Sequence, residues 1–330
     1  MESKIHLSNP GTPVFITGGA GFIGKYICRK LLSENYSVVV FDNFSNSSER
    51  DFYKEFGENS NVSVIHGDIR DITALTTALK KSRAQTIIHL AAIVSVQESI
   101  KNPDLVFDVN VGGCKVLIEA IGKSGNSTDA DKIKLIFSSS AAVYGTLRPP
   151  LKEDMPIHDS AWANTWLTSP YAKSKLEAES VFLSSTCPAT IFRIFNVFGK
   201  GQSLTGGYPA VIPAFIKSLR RGRQITIYGD GLQSRDFIAV EDVAAAFHLA
   251  LEKPAIQGIY NLACGQETIL RQVAFFLEEL SEKQIDIEYL PARSGDIKRS
   301  WAEIEKIKNE LDFHPSITLK EGIGKMLFTE

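Results

Sequence analysis

Short apolar runs alternate with segments of helical periodicity over the first two-thirds of the chain. Residues 13–17, 37–41, 62–66, 86–93, 133–140 and 189–195 are apolar and rich in β-branched or aromatic side chains, so each predicts a strand. Between them, helical spacing runs over 25–32, over 72–81 with Asp71 as N-cap, from Asn102 to about Gly122 with Pro103 at the first position, and onward from Ser169-Pro170. Strands separated in this way by helices predict an α/β chain with a doubly wound parallel sheet. The near-continuous apolar run at 86–93 fits a strand covered on both faces. Past Gly199 the alternation stops. A linker-like loop over 200–208 leads to helices at 212–221, 240–252, 268–282 and 301–312 among brief strands, which predicts a smaller C-terminal α/β domain. Residues 258–263 are strand-like and read as a return to the large sheet. The expected division is therefore 1–196, joined in part by 237–263, and 197–330.

Composition narrows the function classes. The 330 residues carry a net charge of −2, with 44% apolar and 22% charged residues, the balance of a soluble globular protein. Neither a basic patch nor a charged tail points to nucleic acid. Cys28, Cys114, Cys187 and Cys264 are far apart and form no CxxC or Cys/His cluster, so they read as buried thiols of a reducing cytosol rather than metal ligands or disulfides. Residues 1–10 lack the apolar stretch of a signal peptide and read as a disordered arm, and no run reaches the ~18 apolar residues of a membrane span.

The candidate chemistry starts at the first strand, which turns into Gly18-Gly-Ala-Gly21-Phe-Ile-Gly24 and then into a helix. This spacing suits a backbone that turns tightly and approaches a pyrophosphate at a helix N-terminus, as in a Rossmann-type domain. The next strand ends in Asp42, about 20 residues on, where a carboxylate would bond the adenosine ribose and repel a 2′-phosphate. Asn43 supplies no arginine for such a phosphate, so NAD is the expected cofactor. Asp68, also at a strand end, has two even readings: acceptor for the adenine amino group, or ordinary loop acid. Ala91 and Ala92 are small enough for close approach to a cofactor. Asn110, in mid-helix, reads equally as a satisfied core amide or as a functional one.

Tyr171 and Lys175 lie four residues apart in a helical segment and so share one face. A phenol, with a reference pKa of about 10, becomes a base near neutral pH when a cation favours its anion, and Lys175 is placed to be that cation. Upstream, the strand at 133–140 ends in Ser140, which offers a hydroxyl beside the same helix. Trp162 and Trp166, in the loop before it, read as packing residues rather than as a lid. Arg235 and Arg293, in turn-rich segments, read evenly as diphosphate clamps or as surface arginines.

Taken in order, the segment 17–24, Asp42-Asn43, Gly67-Asp68, Ser138-Ser-Ser-Ala-Ala-Val-Tyr-Gly145, Tyr171-x-x-x-Lys175, Arg193-x-Phe-Asn196 and Arg235-Asp236-Phe237 resemble the extended short-chain dehydrogenase/reductase family, in particular its UDP-hexose 4-epimerases. The resemblance spans nearly the whole chain. It implies a Rossmann domain holding NAD and a C-terminal domain closing over a UDP-sugar, with homodimers formed through the helices near 103–122 and 171–185. It implies cofactor contacts from Gly18, Gly21, Phe22, Ile23, Gly24, Asp42 and Asn43, from Asp68, Ile69, Leu90, Ala91, Ala92 and Asn110, and from Ser138, Tyr171 and Lys175. By the same resemblance, Tyr171 is the acid/base, Ser140 its partner at the sugar hydroxyl and Lys175 the residue that tunes Tyr171. Asn196, Arg235, Arg293 and Asp296 hold the UDP moiety.

Two departures from the pattern refine the expectation. Branches that dehydrate or decarboxylate nucleotide sugars carry acids directly after the catalytic hydroxyl, whereas Ala141 and Ala142 stand here, which favours simple oxidation and re-reduction. Val94 replaces the lysine of bacterial galactose-type epimerases, which separates the chain from that subgroup. Ser300 falls where related epimerases carry either tyrosine or a small residue beside the sugar 2-substituent, so N-acetylated sugars are expected to fit along with UDP-glucose and UDP-galactose. The competing readings are a nucleotide-sugar oxidoreductase, a decarboxylase or a UDP-glucuronate epimerase, and, further off, a non-catalytic NAD-binding regulator.

Overall fold

A computed structural model of the chain describes residues 11–124, 133–158, 166–202, 210–292 and 296–328. In chain order its elements begin with β1 (Val14–Thr17), α1 (Phe22–Ser33), β2 (Val38–Asp42), α2 (Glu49–Phe56), β3 (Val62–His66), α3 (Ile72–Ser82) and β4 (Thr86–His89). They continue with α4 (Val96–Lys101), α5 (Pro103–Phe107), α6 (Gly113–Lys123), β5 (Lys134–Ser140), α7 (Pro170–Leu183), β6 (Ala189–Ile194) and β7 (Asn196–Phe198). The C-terminal part holds α8 (Val211–Arg220), β8 (Ile225–Tyr228), β9 (Ser234–Arg235), β10 (Phe237–Ala239), α9 (Val240–Glu252), β11 (Gly258–Leu262) and β12 (Thr268–Ile269). Last come α10 (Leu270–Ser281), β13 (Ile287–Leu290), α11 (Glu305–Leu311) and α12 (Leu319–Phe328).

Seven strands form one sheet in the order β11-β6-β5-β4-β1-β2-β3, every pair parallel. Helices cover both faces, as the apolar strands require. On one face Ile27, Leu31, Phe52, Val243 and Phe247 of α1, α2 and α9 pack on the sheet. On the other, Leu75, Leu79, Leu117 and Phe182 of α3, α6 and α7 do so. The chain reverses its winding between β1 and β4, so the carboxyl ends of these strands flank the crevice where such sheets bind ligands. A third apolar cluster, including Ile212, Phe215, Ile225, Leu277 and Ile323, gives the C-terminal elements a core of their own.

The α/β, doubly wound fold expected from the sequence is the fold observed. Three local expectations are corrected. The helix expected from Asn102 to Gly122 runs from Pro103 to Lys123 but passes through a π turn at Asp108–Gly112, and Asn102 makes no side-chain cap there. The strand expected over 86–93 stops at His89. The helix expected over 301–312 begins only at Glu305, because the backbone of 299–302 is extended and bridges to Ser234 and Leu151. The sequence reading also passed over α4 and α12. The expected arm at 1–10, Trp162 and Arg293 lie outside the described residues.

Candidate active site

The glycine turn after β1 is shaped by contacts that exclude side chains. Gly18 sits at φ +70°, and a Cβ there would stand 2.6 Å from the Ala91 nitrogen; a Cβ on Gly24 would stand 2.5 Å from the Gly19 oxygen. The first turn of α1 follows at Gly21, its N-cap, with no side chain bonded to its amides. Asp42, at the end of β2, is fixed across the turn: Oδ2 accepts from Ala20 N at 3.0 Å and Oδ1 from Phe44 N at 2.8 Å. A close-approach loop, an uncapped helix start and an oriented strand-end carboxylate together fit a dinucleotide.

Asp68 is differently occupied. Arg70 grips it through Nε and Nη2, Asn43 Nδ2 donates to it at 3.1 Å, and these bonds hold its carboxyl down at about 2, well below the usual range. Its carboxylate therefore ties Asn43 and Arg70 together at the far end of the cradle. Ile69 lies buried against Gly113, while Leu90 N donates to Thr17 O at 3.0 Å and so holds the β4 end beside β1. Of the two readings of Asn110, the structure shows a satisfied amide that also shapes the site. Its Oδ1 accepts from Ile93 N, and Nδ2 donates to Ile93 O and Ser174 Oγ, so the π turn pins the loop after β4 to the Tyr171 helix. π turns of this kind recur at functional sites.

Ser169 opens α7 as its N-cap, accepting from Ala172 N at 3.2 Å, with Pro170 at the first position. That start sets the helix phase, which turns Tyr171 and Lys175 inward. Tyr171 is buried, and its phenol is within the influence of the Ser140 hydroxyl, which itself accepts from Ala142 N at 3.2 Å. Burial raises its pKa, and the Ser140 hydroxyl draws it partly back. Lys175 Nζ donates to Ser138 O at 2.7 Å and lies 4.9 Å from the Phe137 ring centre. Burial lowers its pKa to about 8, against an upward pull from Cys114 and Glu179. The ammonium is thus bonded to the strand-end carbonyl of Ser138, one helical turn on from the phenol.

A cavity of about 810 Å³ opens among the C-terminal elements and is lined by Asn196, Arg235, Asp296, Gln202, Val211 and Tyr228 among others. Arg235 is neither free nor on the outer surface: it donates to Asp296 Oδ1 at 2.7 Å and to Ile297 O at 2.6 Å, anchoring the loop at 296–297 to the cavity wall. Asn196 donates twice to Asp236 O. Asp236 itself is buried, accepting from the amides of Cys264, Gly265 and Ala302, while desolvation pushes its carboxyl up to about 7. Ser300 does not line the cavity; it is buried, with its amide on Ser234 O. Trp166 is buried in the core cluster, in line with a packing role.

The model of the NAD dependent epimerase/dehydratase family matches residues 14–263. The chain belongs to this family. It is an NAD-using enzyme of the isomerase class, as its epimerase relatives are. A UDP-glucuronate 4-epimerase of Thermodesulfobacterium geofontis is 32% identical, covering 94% of this chain and 93% of its own. A putative UDP-glucose 4-epimerase of Methanocaldococcus jannaschii is also 32% identical, covering 95% and 97%. Among solved structures, the UDP-N-acetylglucosamine 4-epimerase of Methanobrevibacter ruminantium, in complex with UDP-N-acetylmuramic acid, superposes with a TM-score of 0.83 at 32% identity, covering 96% and 97%.

For this family member the sequence reading passed over the side chains behind the Tyr171 helix. Glu179 and Arg193 form a fully buried ion pair, with Arg193 Nη2 to Glu179 Oε2 at 2.8 Å, and Ser139, His158 and Tyr144 bond to the same pair. Glu179 stands four residues after Lys175 and was available as a signal. Gln202 and Tyr228, in the cavity wall, carried none. Among the described residues no group of His, Cys, Asp or Glu could hold a metal ion, and no helix is long and apolar enough to cross a membrane.

Proposed function

We propose that this enzyme interconverts UDP-sugars epimeric at C4, acting on UDP-glucose and UDP-galactose and on their 2-N-acetyl counterparts through a 4-keto sugar. The observation that carries this reading is the buried Tyr171 phenol beside Ser140, with Ala141 and Ala142 next in the chain. The pair can move one proton, and no carboxylate follows it to expel water or drive decarboxylation.

In this mechanism NAD, held by the Gly18–Gly24 turn, Asp42 and Lys175, supplies reversible hydride acceptance at the sugar C4. Tyr171, as phenolate, takes the C4 hydroxyl proton, with Ser140 orienting that hydroxyl. Burial makes the phenolate a strong base, and the Lys175 ammonium one helical turn on offsets its charge. The keto sugar stays held by its UDP end at Asn196, Arg235, Arg293 and Asp296 and turns about its diphosphate, so that C4 presents its opposite face for return of the hydride while Tyr171 gives the proton back to the C4 oxygen. Support for the 2-N-acetyl part of this reading comes from the small side chain at Ser300, a buried residue outside the cavity lining.

In this reading residues 1–196, with 237–263, bind NAD, and 197–330 bind the nucleotide sugar. Leu105 and Leu183, exposed on the helices near 103–122 and 171–185, support homodimer formation there. Buried Cys28, Cys114 and Cys187, none of them in a disulfide, suit the cytoplasm. The deciding experiment incubates purified protein, without added cofactor, with UDP-glucose, UDP-GlcNAc and UDP-glucuronate, and follows the products by NMR. Equilibration of the first two supports the proposal. Turnover of UDP-glucuronate alone, or any stoichiometric need for added NAD, overturns it.

A further inference from the structure

Three consecutive serines end β5, and each is tied to a different turn of α7. Ser140 acts on the Tyr171 phenol, the Ser138 carbonyl accepts from Lys175, and Ser139 Oγ donates to Glu179 Oε1 at 2.5 Å. Tyr171, Lys175 and Glu179 follow at intervals of four, so they form one stripe on the helix. The proposed reaction accounts for the first two members of the stripe. Glu179, fully buried and ion-paired with Arg193, has no part in it so far.

Stability alone is a poor reason for such a pair. Desolvating two ions costs several kcal/mol each, and well-packed apolar replacements of buried pairs are often neutral or stabilising. The surroundings of Lys175 suggest the missing role. From β4 it is faced by His89, which burial holds neutral with a pKa of about 3, and from α6 by Cys114, whose thiol burial pushes up to about 12. From β5 it meets the Phe137 ring and the Ser138 carbonyl, and along α7 the Tyr171 phenol, which burial keeps protonated in the resting protein. Among these groups Glu179 alone is anionic near neutral pH, its carboxyl lowered by His158, Arg193 and Ser139 in spite of burial. Arg193 from β6 and His158 hold the carboxylate from its other side, at 2.8 and 3.1 Å.

Resting on the epimerase reading, we infer that Glu179 is a positioning residue: it is the counter-ion that keeps Lys175 an ammonium, and through Ser139 it locks the strand end bearing Ser140 to the helix bearing Tyr171. Neutralising it leaves Arg193 and Lys175 as two buried cations with no anion between them, and the stronger acid, Lys175, yields its proton.

The test uses Glu179→Gln and Glu179→Asp in the holoenzyme. Lys175 is titrated by NMR on isotope-labelled lysine, its signal identified by loss in Lys175→Met, and kcat and KM are measured against pH. In Glu179→Gln the Lys175 titration and the basic limb of kcat should both move down by about one pH unit or more at unchanged KM, with Glu179→Asp restoring part of the shift. A folded Glu179→Gln protein in which Lys175 titrates as in wild type overturns the inference. The titration needs no sugar, so a shifted Lys175 in a protein that epimerises nothing would sink the epimerase reading and leave the counter-ion role standing. If Glu179→Gln does not fold, Ser139→Ala decides: a fall in kcat of about tenfold at unchanged KM supports the lock, and unchanged kcat overturns it.

Discussion

Gly18 lies so close to Ala91 that any side chain on the glycine would strike the backbone of its neighbour, 2.6 Å away at the nitrogen. The contact joins the turn after β1 to the end of β4 at the point where the sheet reverses its winding. Gly18→Ala should therefore part the two strand ends and also strain a φ of +70°, at a cost of about 1–3 kcal/mol. The purified variant is expected to carry much less NAD than wild type, measured by release on denaturation. Full NAD content would show that the cradle does not depend on this approach.

Tyr171→Phe keeps the buried ring and removes the hydroxyl on which Ser140 acts. Turnover should fall by about 10²–10⁴-fold, the usual loss when an acid/base is removed, while NAD content and UDP affinity hold. Calorimetry with UDP separates the two effects. A variant with undiminished turnover would exclude Tyr171 as the proton carrier.

Ser300→Tyr tests the sugar preference. The added ring would occupy the space assigned to a 2-N-acetyl group, so kcat/KM for UDP-GlcNAc should fall by about tenfold or more relative to UDP-glucose. Taking the ratio of two substrates on one preparation cancels any loss of folded enzyme, which matters because Ser300 is buried. An unchanged ratio would place the 2-substituent elsewhere.

Lys134 gives a pH-dependent stability far from the site. It is buried, its Nζ donates to the carbonyls of Lys253 and Ile256 at the end of α9, and burial lowers its pKa to about 8. Between about pH 8 and its ordinary value the unfolded chain holds a proton that the folded one lacks, so stability rises with pH through this window. The contribution is fully present above the unfolded pKa and is lost as pH falls through about 8, an effect of about 3 kcal/mol in all. Wild type should gain on Lys134→Met in denaturant titrations as pH rises across the window. A constant offset between the two would rule out the titration of Lys134 as the cause.

The order of strands and helices was written in the chain, because apolar spacing reports burial and burial is what a two-faced parallel sheet demands. The glycine turn, the strand-end Asp42 and the Tyr171/Lys175 spacing were equally legible, since each is set by neighbours a few residues away. Asn110 shows the limit: its place in a helical pattern was evident, yet the π turn around it exists because Ile93 and Ser174, distant in sequence, offer bonds to its amide. Arg235 is a second case, since its partner Asp296 lies 61 residues on.

The sequence by itself determined the α/β architecture, the NAD cradle and the candidate proton-transfer pair, all of which follow from local geometry and periodic burial. Only the tertiary structure decided where charge goes. That Lys175 bonds Ser138, that Glu179 stands behind it with Arg193, and that Asp68 is held by Arg70 depend on which backbone and side-chain dipoles meet in a low-dielectric interior, and proximity of that kind is fixed by packing rather than by spacing along the chain.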